Sequence, residues 1–94
     1  MKKKILIVVA NYYENIANSL LNSAKNKINN KCSIKVINVP GAFEIPVTIS
    51  KNLNQFNGFI ALGCVIKGKT PHFDFISKAT TDALMTLSIT SKKP

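Results

Sequence analysis

The chain predicts an α/β protein built on a parallel sheet, and three observations carry that reading. Short apolar runs alternate with helical stretches in the order β-α-β-α-β-α, which calls for parallel strands joined by right-handed helical crossovers. The first run, KILIVVA (Lys4–Ala10), is continuously apolar, as a strand covered on both faces must be. Finally, the unusual chemistry gathers in three segments, each directly following a strand: 11–13, 40–44 and 65–72. Ligands of open α/β sheets bind beyond the carboxyl ends of the strands, so topology and residue type point to the same end of the molecule.

Each element has its own local reason. After the first strand, Glu14–Ile28 places Ile16, Leu20, Leu21, Ala24 and Ile28 on one helical stripe. Asn29-Asn30 ends that helix. SIKVINV (Ser33–Val39) alternates and is β-branched, which predicts a strand suited to the sheet edge. Pro40-Gly41 breaks it. Ile45–Asn54 is rich in β-branched residues, yet Pro46 near its start and the spacing of Val47, Ile49 and Leu53 predict a short helix. GFIALGC (Gly58–Cys64) is the third strand. From Phe73 onward a last helix carries Phe75, Ile76, Ala79, Ala83 and Leu87 on one side. Neither a repeat nor a linker interrupts residues 1–94, so a single domain is expected.

Composition narrows the function classes. The apolar fraction of 46% supports a core, although a chain of 94 residues buries only a modest share of its surface. Lys2–Lys4 before ILIVVA resembles the start of a signal peptide, but the apolar run stops at Asn11 and no cleavage site follows. No run is long enough to span a membrane. Cys32 and Cys64 are too few for a disulfide scaffold, fit a reducing cytoplasm, and lack metal-ligand spacing. The net charge of +9 invites a nucleic-acid reading. Against it, every basic residue is Lys, the lysines are scattered, and no aromatic residues interleave with them. No nucleic-acid partner, membrane, metal or cofactor is therefore expected, while the charge suits steering of anionic small molecules.

The segment ALGCVIKGKTPHFDF (Ala61–Phe75) is the most informative. Gly63–Thr70 fits G-x-x-x-x-G-K-T, the phosphate loop of nucleotide-binding proteins. In such loops the Lys and Thr open the following helix. Here Pro71 follows Thr70, and the residue before a proline is pushed toward extended geometry. Val65 and Ile66 also suit an extended strand end better than a tight nest of amides. A nucleotide loop is thus disfavoured. Gly68, Lys69 and Thr70 still offer amides, a cation and a hydroxyl to a phosphate.

The remaining candidates come from the three loops. His72 is the sole histidine, the side-chain type whose ordinary pKa lies near neutrality, and it follows this loop, which favours an acid/base role over a surface cap. Asp74 is two residues away, an unreliable spacing for orienting it. Tyr12 and Tyr13 follow the first strand. One of them offers a face to a flat heterocycle, Tyr12 being the better placed, or else they staple the first helix. Gly41 and Ala42 allow close approach to the main chain. Glu44, one of only 4 acids, precedes a helix and serves either a ligand or the helix dipole. Phe43 reads first as packing.

Taken together, VPGAFEIP (Val39–Pro46) and ALGCVIKGKTPHFDFI (Ala61–Ile76), with the weaker match ANYYENIANSLL (Ala10–Leu21), resemble the lumazine synthase family of riboflavin biosynthesis. The resemblance runs the length of the chain. It implies a three-layer α/β/α, flavodoxin-like fold and a cofactor-free condensation. In that reaction 5-amino-6-(ribitylamino)uracil and 3,4-dihydroxy-2-butanone 4-phosphate give 6,7-dimethyl-8-ribityllumazine. By resemblance Tyr12 stacks on the pyrimidine, and Ala42 and Glu44, within the segment that includes Gly41 and Phe43, hold the ribityl chain. Cys64, Val65 and Ile66 line the ring pocket, Lys69 and Thr70 lie in the phosphate loop, and His72 transfers protons. The expected substrate-binding set is Tyr12, Gly41, Ala42, Phe43, Glu44, Cys64, Val65, Ile66, Lys69 and Thr70, with His72 catalytic. The resemblance also implies a homo-oligomer, a pentamer or larger.

Two departures stand out. Tyr13 occupies a position where many members carry Asn, which puts one polar contact in question. The chain also stops at SKKP, where the family's fourth strand begins. A C-terminal truncation is therefore expected, with loss of that strand, the later helices, a phosphate-binding arginine and an aromatic residue lent by a neighbouring subunit. The chain has no arginine at all. Such a form would leave the third strand as a bare edge and the last helix without a glycine cap. It would be an enzyme of low activity, an inactive fragment, or a module that binds a flavin-like ring.

Overall fold

In the computed structural model, residues 2–68 and 72–94 are described. Strands β1 (Lys3–Ala10), β2 (Cys32–Val39) and β3 (Gly58–Leu62) form one parallel sheet in the order β2-β1-β3. Helices α1 (Glu14–Ile28), α2 (Ile45–Lys51) and α3 (His72–Ser91) follow them in turn, so the alternating α/β architecture is as the sequence predicts. β1 is paired along both edges: Lys3 opposite Cys32 through Ala10 opposite Val39, and Ile5 opposite Gly58 through Val9 opposite Leu62.

This central position explains the unbroken apolar run. Leu6, Ile7 and Val8 are wholly buried, and Val9 is nearly so. Successive strand residues face opposite sides. Leu6, Val8 and Ala10 join Val39, Ile45, Ile49 and Phe56 in one core, with Leu84 and Leu87 of α3 packed against it. Ile7 and Val9 face the other side of the sheet, where α1 contacts β1 and β3 and buries Ala17. β2 alternates half-buried and exposed residues from Cys32 to Val36, as an edge strand does, and ends on buried Val39.

Local chemistry sets the boundaries. Glu14 in the first turn of α1 and Lys25 and Lys27 in its last complement the helix dipole. Pro46 sits in the first turn of α2, where its missing N–H costs nothing. α2 is shorter than predicted because Asn52 leaves the helix and its side-chain amide donates to the Thr48 carbonyl at 2.7 Å. β3 also stops early, at Leu62, so Cys64 lies in the loop beyond it. Asn57 ties the start of β3 to β1: its N–H donates to Lys4 O, and its side-chain oxygen accepts from Lys4 N, both at 2.8 Å.

Each predicted helix stripe holds except at one residue, with Leu20, Leu21, Ala24 and Ile28 of α1 and Ile76, Ala79, Ala83 and Leu87 of α3 half-buried. Ile16 is exposed, and Ala17 is buried instead. Ala17, Leu20, Leu21, Ala24 and Ile28 then keep the three-and-four spacing of a continuous stripe. On α3, Phe75 is 64% exposed while Leu84 and Leu87 reach the core. Nor does α3 end uncapped. Lys92 adopts φ 58°, the left-handed geometry usually taken by glycine, and its N–H donates to Ser88 O at 2.9 Å. The segment beyond folds back: Phe59 N–H of β3 donates to Pro94 O at 3.0 Å, and the Lys93 amine donates to Leu53 O and Phe56 O. The outer edge of β3 is partly covered rather than bare.

Candidate active site

All three strands deliver the chain to one end of the sheet, and the loops there close on each other. Asn11 N–H, just past β1, donates to Val39 O at 3.0 Å. A methyl group added to Gly63 would lie 3.5 Å from the Cβ atoms of Ala10 and Ala42 and from Cδ1 of Ile45. The ends of β1 and β3 and the segment after β2 therefore meet at van der Waals distance.

Between them lies a cleft of about 310 Å³. Tyr12 and Tyr13 line it from β1's end, Gly41 and Ala42 from β2's, and Cys64, Val65, Ile66 and Gly68 from β3's. His72, Phe73 and Ile76 close it from the first turns of α3. Parallel strands with helical crossovers make this convergence unavoidable.

Of the predicted site residues, Tyr12, Gly41, Ala42, Cys64, Val65, Ile66 and His72 are brought together. Phe43 and Glu44 do not line the cleft. Phe43 is 52% exposed and stacks on Phe75 of α3, ring centroids 6.4 Å apart. Glu44 stays at the rim: a carbon added to Gly41 would meet its Oε1 at 3.1 Å. It stands directly before α2, where its charge suits the helix dipole, and makes no side-chain capping hydrogen bond there. Lys69 and Thr70 lie outside the described residues. Gly41 has extended backbone, φ −150° and ψ 170°, open to any residue. What the lack of a side chain there provides is room beside Glu44.

Phe73 and Ile76 were missed by sequence reasoning. Their i, i+3 spacing at the start of α3 was the available signal, since it places them on the same face as the loop.

The electrostatics of the cleft are open. His72 is exposed, and no group of three or more His, Cys, Asp or Glu among the described residues could hold a metal. The ion pair found among those residues, Lys78 to Asp82 at 2.7 Å, lies on exposed α3 surface. Its hydrogen bond, and then its charge attraction, raise the Lys78 pKa. A second cleft of about 190 Å³ sits between α2, β3 and α3, lined by Leu53, Phe59, Leu84 and Leu87. Its only charged group, Lys93, already bonds two carbonyls.

A family model described as 6,7-dimethyl-8-ribityllumazine synthase matches residues 2–94. The chain belongs to the 6,7-dimethyl-8-ribityllumazine synthase family. It is 40% identical to the synthase of Agrobacterium fabrum over 101 aligned positions, covering 99% of this chain and 68% of that protein. Identity to the Bartonella tribocorum synthase is 41%, covering 95% of this chain and 63% of that protein. A further relative, synthase 1 of Rhizobium meliloti, is 38% identical, with 90% and 61% covered. The chain thus spans about three fifths to two thirds of the length of these relatives. The family match extends across Gly63–Thr70, which accounts for that stretch without a nucleotide.

Proposed function

We propose that residues 1–94 form one lumazine synthase domain, which condenses 5-amino-6-(ribitylamino)uracil with 3,4-dihydroxy-2-butanone 4-phosphate. The observation that carries this reading is the cleft at the carboxyl ends of all three strands, lined by Tyr12, Ala42, Cys64–Ile66 and His72, in a chain matching that family over 2–94. The uracil amine attacks the ketone and loses water to form an imine. Phosphate then leaves, and the second amine closes the ring with loss of a second water.

Each residue has a physical task in this scheme. The ring of Tyr12, 74% exposed at the cleft, offers a face to the pyrimidine. Val65 and Ile66 supply apolar walls. Ala42, Gly41 and the rim carboxylate of Glu44 take the ribityl hydroxyls, with Phe43 bracing that segment against Phe75. Lys69 and Thr70 hold the phosphate. His72 gives and takes protons as imine and leaving group form. Most of the acceleration comes from holding two substrates in one orientation.

The test is lumazine formation by the purified chain, followed by absorbance against the spontaneous background. His72→Ala should lower the rate about a hundredfold, the low end of general acid–base contributions. A His72→Ala rate equal to that of the unaltered chain would remove the histidine from the mechanism. Binding without turnover is the second reading, supported by the open cleft with Tyr12 exposed at it.

A homo-oligomer, pentameric or larger, completes the proposal. Phe43, Val47, Phe75, Met85 and Ile89 are large apolar residues left exposed, a surface that suits burial against further copies. A cytoplasmic location accords with two free thiols and with the absence of a membrane-spanning helix among the described residues.

A further inference from the structure

We infer that Tyr13 is a positioning residue that sets the orientation of the Tyr12 ring, an inference that rests on Tyr12 being the stacking platform proposed above. Tyr12 is 74% exposed, so little of the protein surrounds its ring. The aromatic partner found among the described residues is Tyr13, with centroids 4.9 Å apart and planes at 76°. That edge-on geometry is the favoured one for two aromatic rings, because the positive ring edge meets the negative face.

The two tyrosines differ in how firmly they are held. Tyr13 is half-buried, and its carbonyl accepts the Ala17 N–H at 2.9 Å, so it forms part of the first turn of α1. Ala17 is itself buried. Tyr13 therefore joins an exposed ring to a helix seated on the sheet. Without it, Tyr12 would sample several rotamers, and a ligand would have to order the ring on binding. Both side chains line the cleft, so the ordered ring is the one a heterocycle meets.

The test is a double-mutant cycle on binding of 6,7-dimethyl-8-ribityllumazine, read by quenching of the ligand's fluorescence. Tyr13→Leu keeps apolar bulk at the helix start but removes the ring edge, and circular dichroism checks that each variant is folded. Tyr12→Ala should weaken binding about tenfold. Tyr13→Leu should weaken it about threefold and reduce quenching at saturation, because the stack is less ordered. Tyr13→Phe should restore both affinity and quenching. The decisive result is non-additivity: in the Tyr12→Ala background, Tyr13→Leu should cost nothing further. Equal losses in both backgrounds would mean that Tyr13 acts on the ligand or the fold directly, and would overturn the inference while leaving the lumazine reading intact. No binding of lumazine by the unaltered, folded chain would take down both.

Discussion

β1 and α3 treat their apolar residues in opposite ways. In the eight residues of β1, the last five are buried, three of them completely. In the twenty residues of α3, none is buried, and Phe75, Met85 and Ile89 lie largely in solvent. β1 is the more apolar in sequence, but α3 still carries large apolar side chains along its length. What separates them is coverage: β1 has a strand on each edge and helices over both faces, whereas α3 touches the rest of the domain along one stripe. The buried apolar side chains of the domain are therefore concentrated in β1, whereas α3 leaves large apolar side chains exposed. The cleft lies where the two meet, with rigid strand ends on one side and the first turns of α3, with His72, on the other.

The largest expected effect tests the β1 half of this contrast. Leu6→Ala empties a wholly buried position facing Ile49, Phe56 and Phe59, and should cost about 3 kcal/mol in urea unfolding. Domains of this size are stable by roughly 5–14 kcal/mol, so a large share of the total rests on one side chain. A loss comparable to that of a surface substitution would mean that the sheet centre is not the core.

Phe75→Asp probes the other half. The Phe75 ring is 64% exposed and touches Phe43 at its edge of the domain, so unfolding should change by less than about 1 kcal/mol. The proposed assembly should suffer instead. Sedimentation should show smaller particles, because a carboxylate placed in an apolar contact between copies is left unpaired. Unchanged particle size alongside a large loss of stability would assign Phe75 to the fold and erase the distinction between the two regions.

The same contrast explains what was legible beforehand. β1, the order of elements and the parallel connection were readable because buried strands advertise themselves as unbroken apolar runs. The convergence of Tyr12, Ala42, Cys64–Ile66 and His72 was readable because topology alone sends three loops to one end. Less visible was where each helix stripe ends. Ile16 and Phe75 are as apolar as the covered residues beside them, Ala17 and Ile76, and one position at the edge of the stripe separates cover from solvent. Which of two adjacent residues is covered depends on where the helix lands on the sheet, a tertiary fact absent from local spacing. Phe73 and Ile76 were missed as cleft residues for the same reason. The return of Lys93 and Pro94 onto the α2–β3 turn and β3 was likewise hidden, because a lysine amine bonded to two carbonyls leaves no pattern in composition.

The smallest effect concerns the far end of α3, where a weakly covered helix must be stopped by local geometry. Lys92 takes the left-handed conformation at φ 58°, at a cost of about 1–2 kcal/mol for a residue with a Cβ. Glycine would remove that cost but add about 0.4–1 kcal/mol of chain entropy to be lost on folding. It would also remove a cation near the carboxyl end of the helix dipole, worth a few tenths of a kcal/mol. The sum favours Lys92→Gly by about half a kcal/mol. Lys92→Ala keeps the strain and loses the charge, so it should be slightly destabilising. The ordering Gly above Lys above Ala in melting temperature is the signature to look for. If alanine equals glycine, the left-handed cap is absent in solution. The folding back of Lys93 and Pro94, which depends on that reversal of chain direction, would then have to be held by the Lys93 amine and the Phe59–Pro94 hydrogen bond alone.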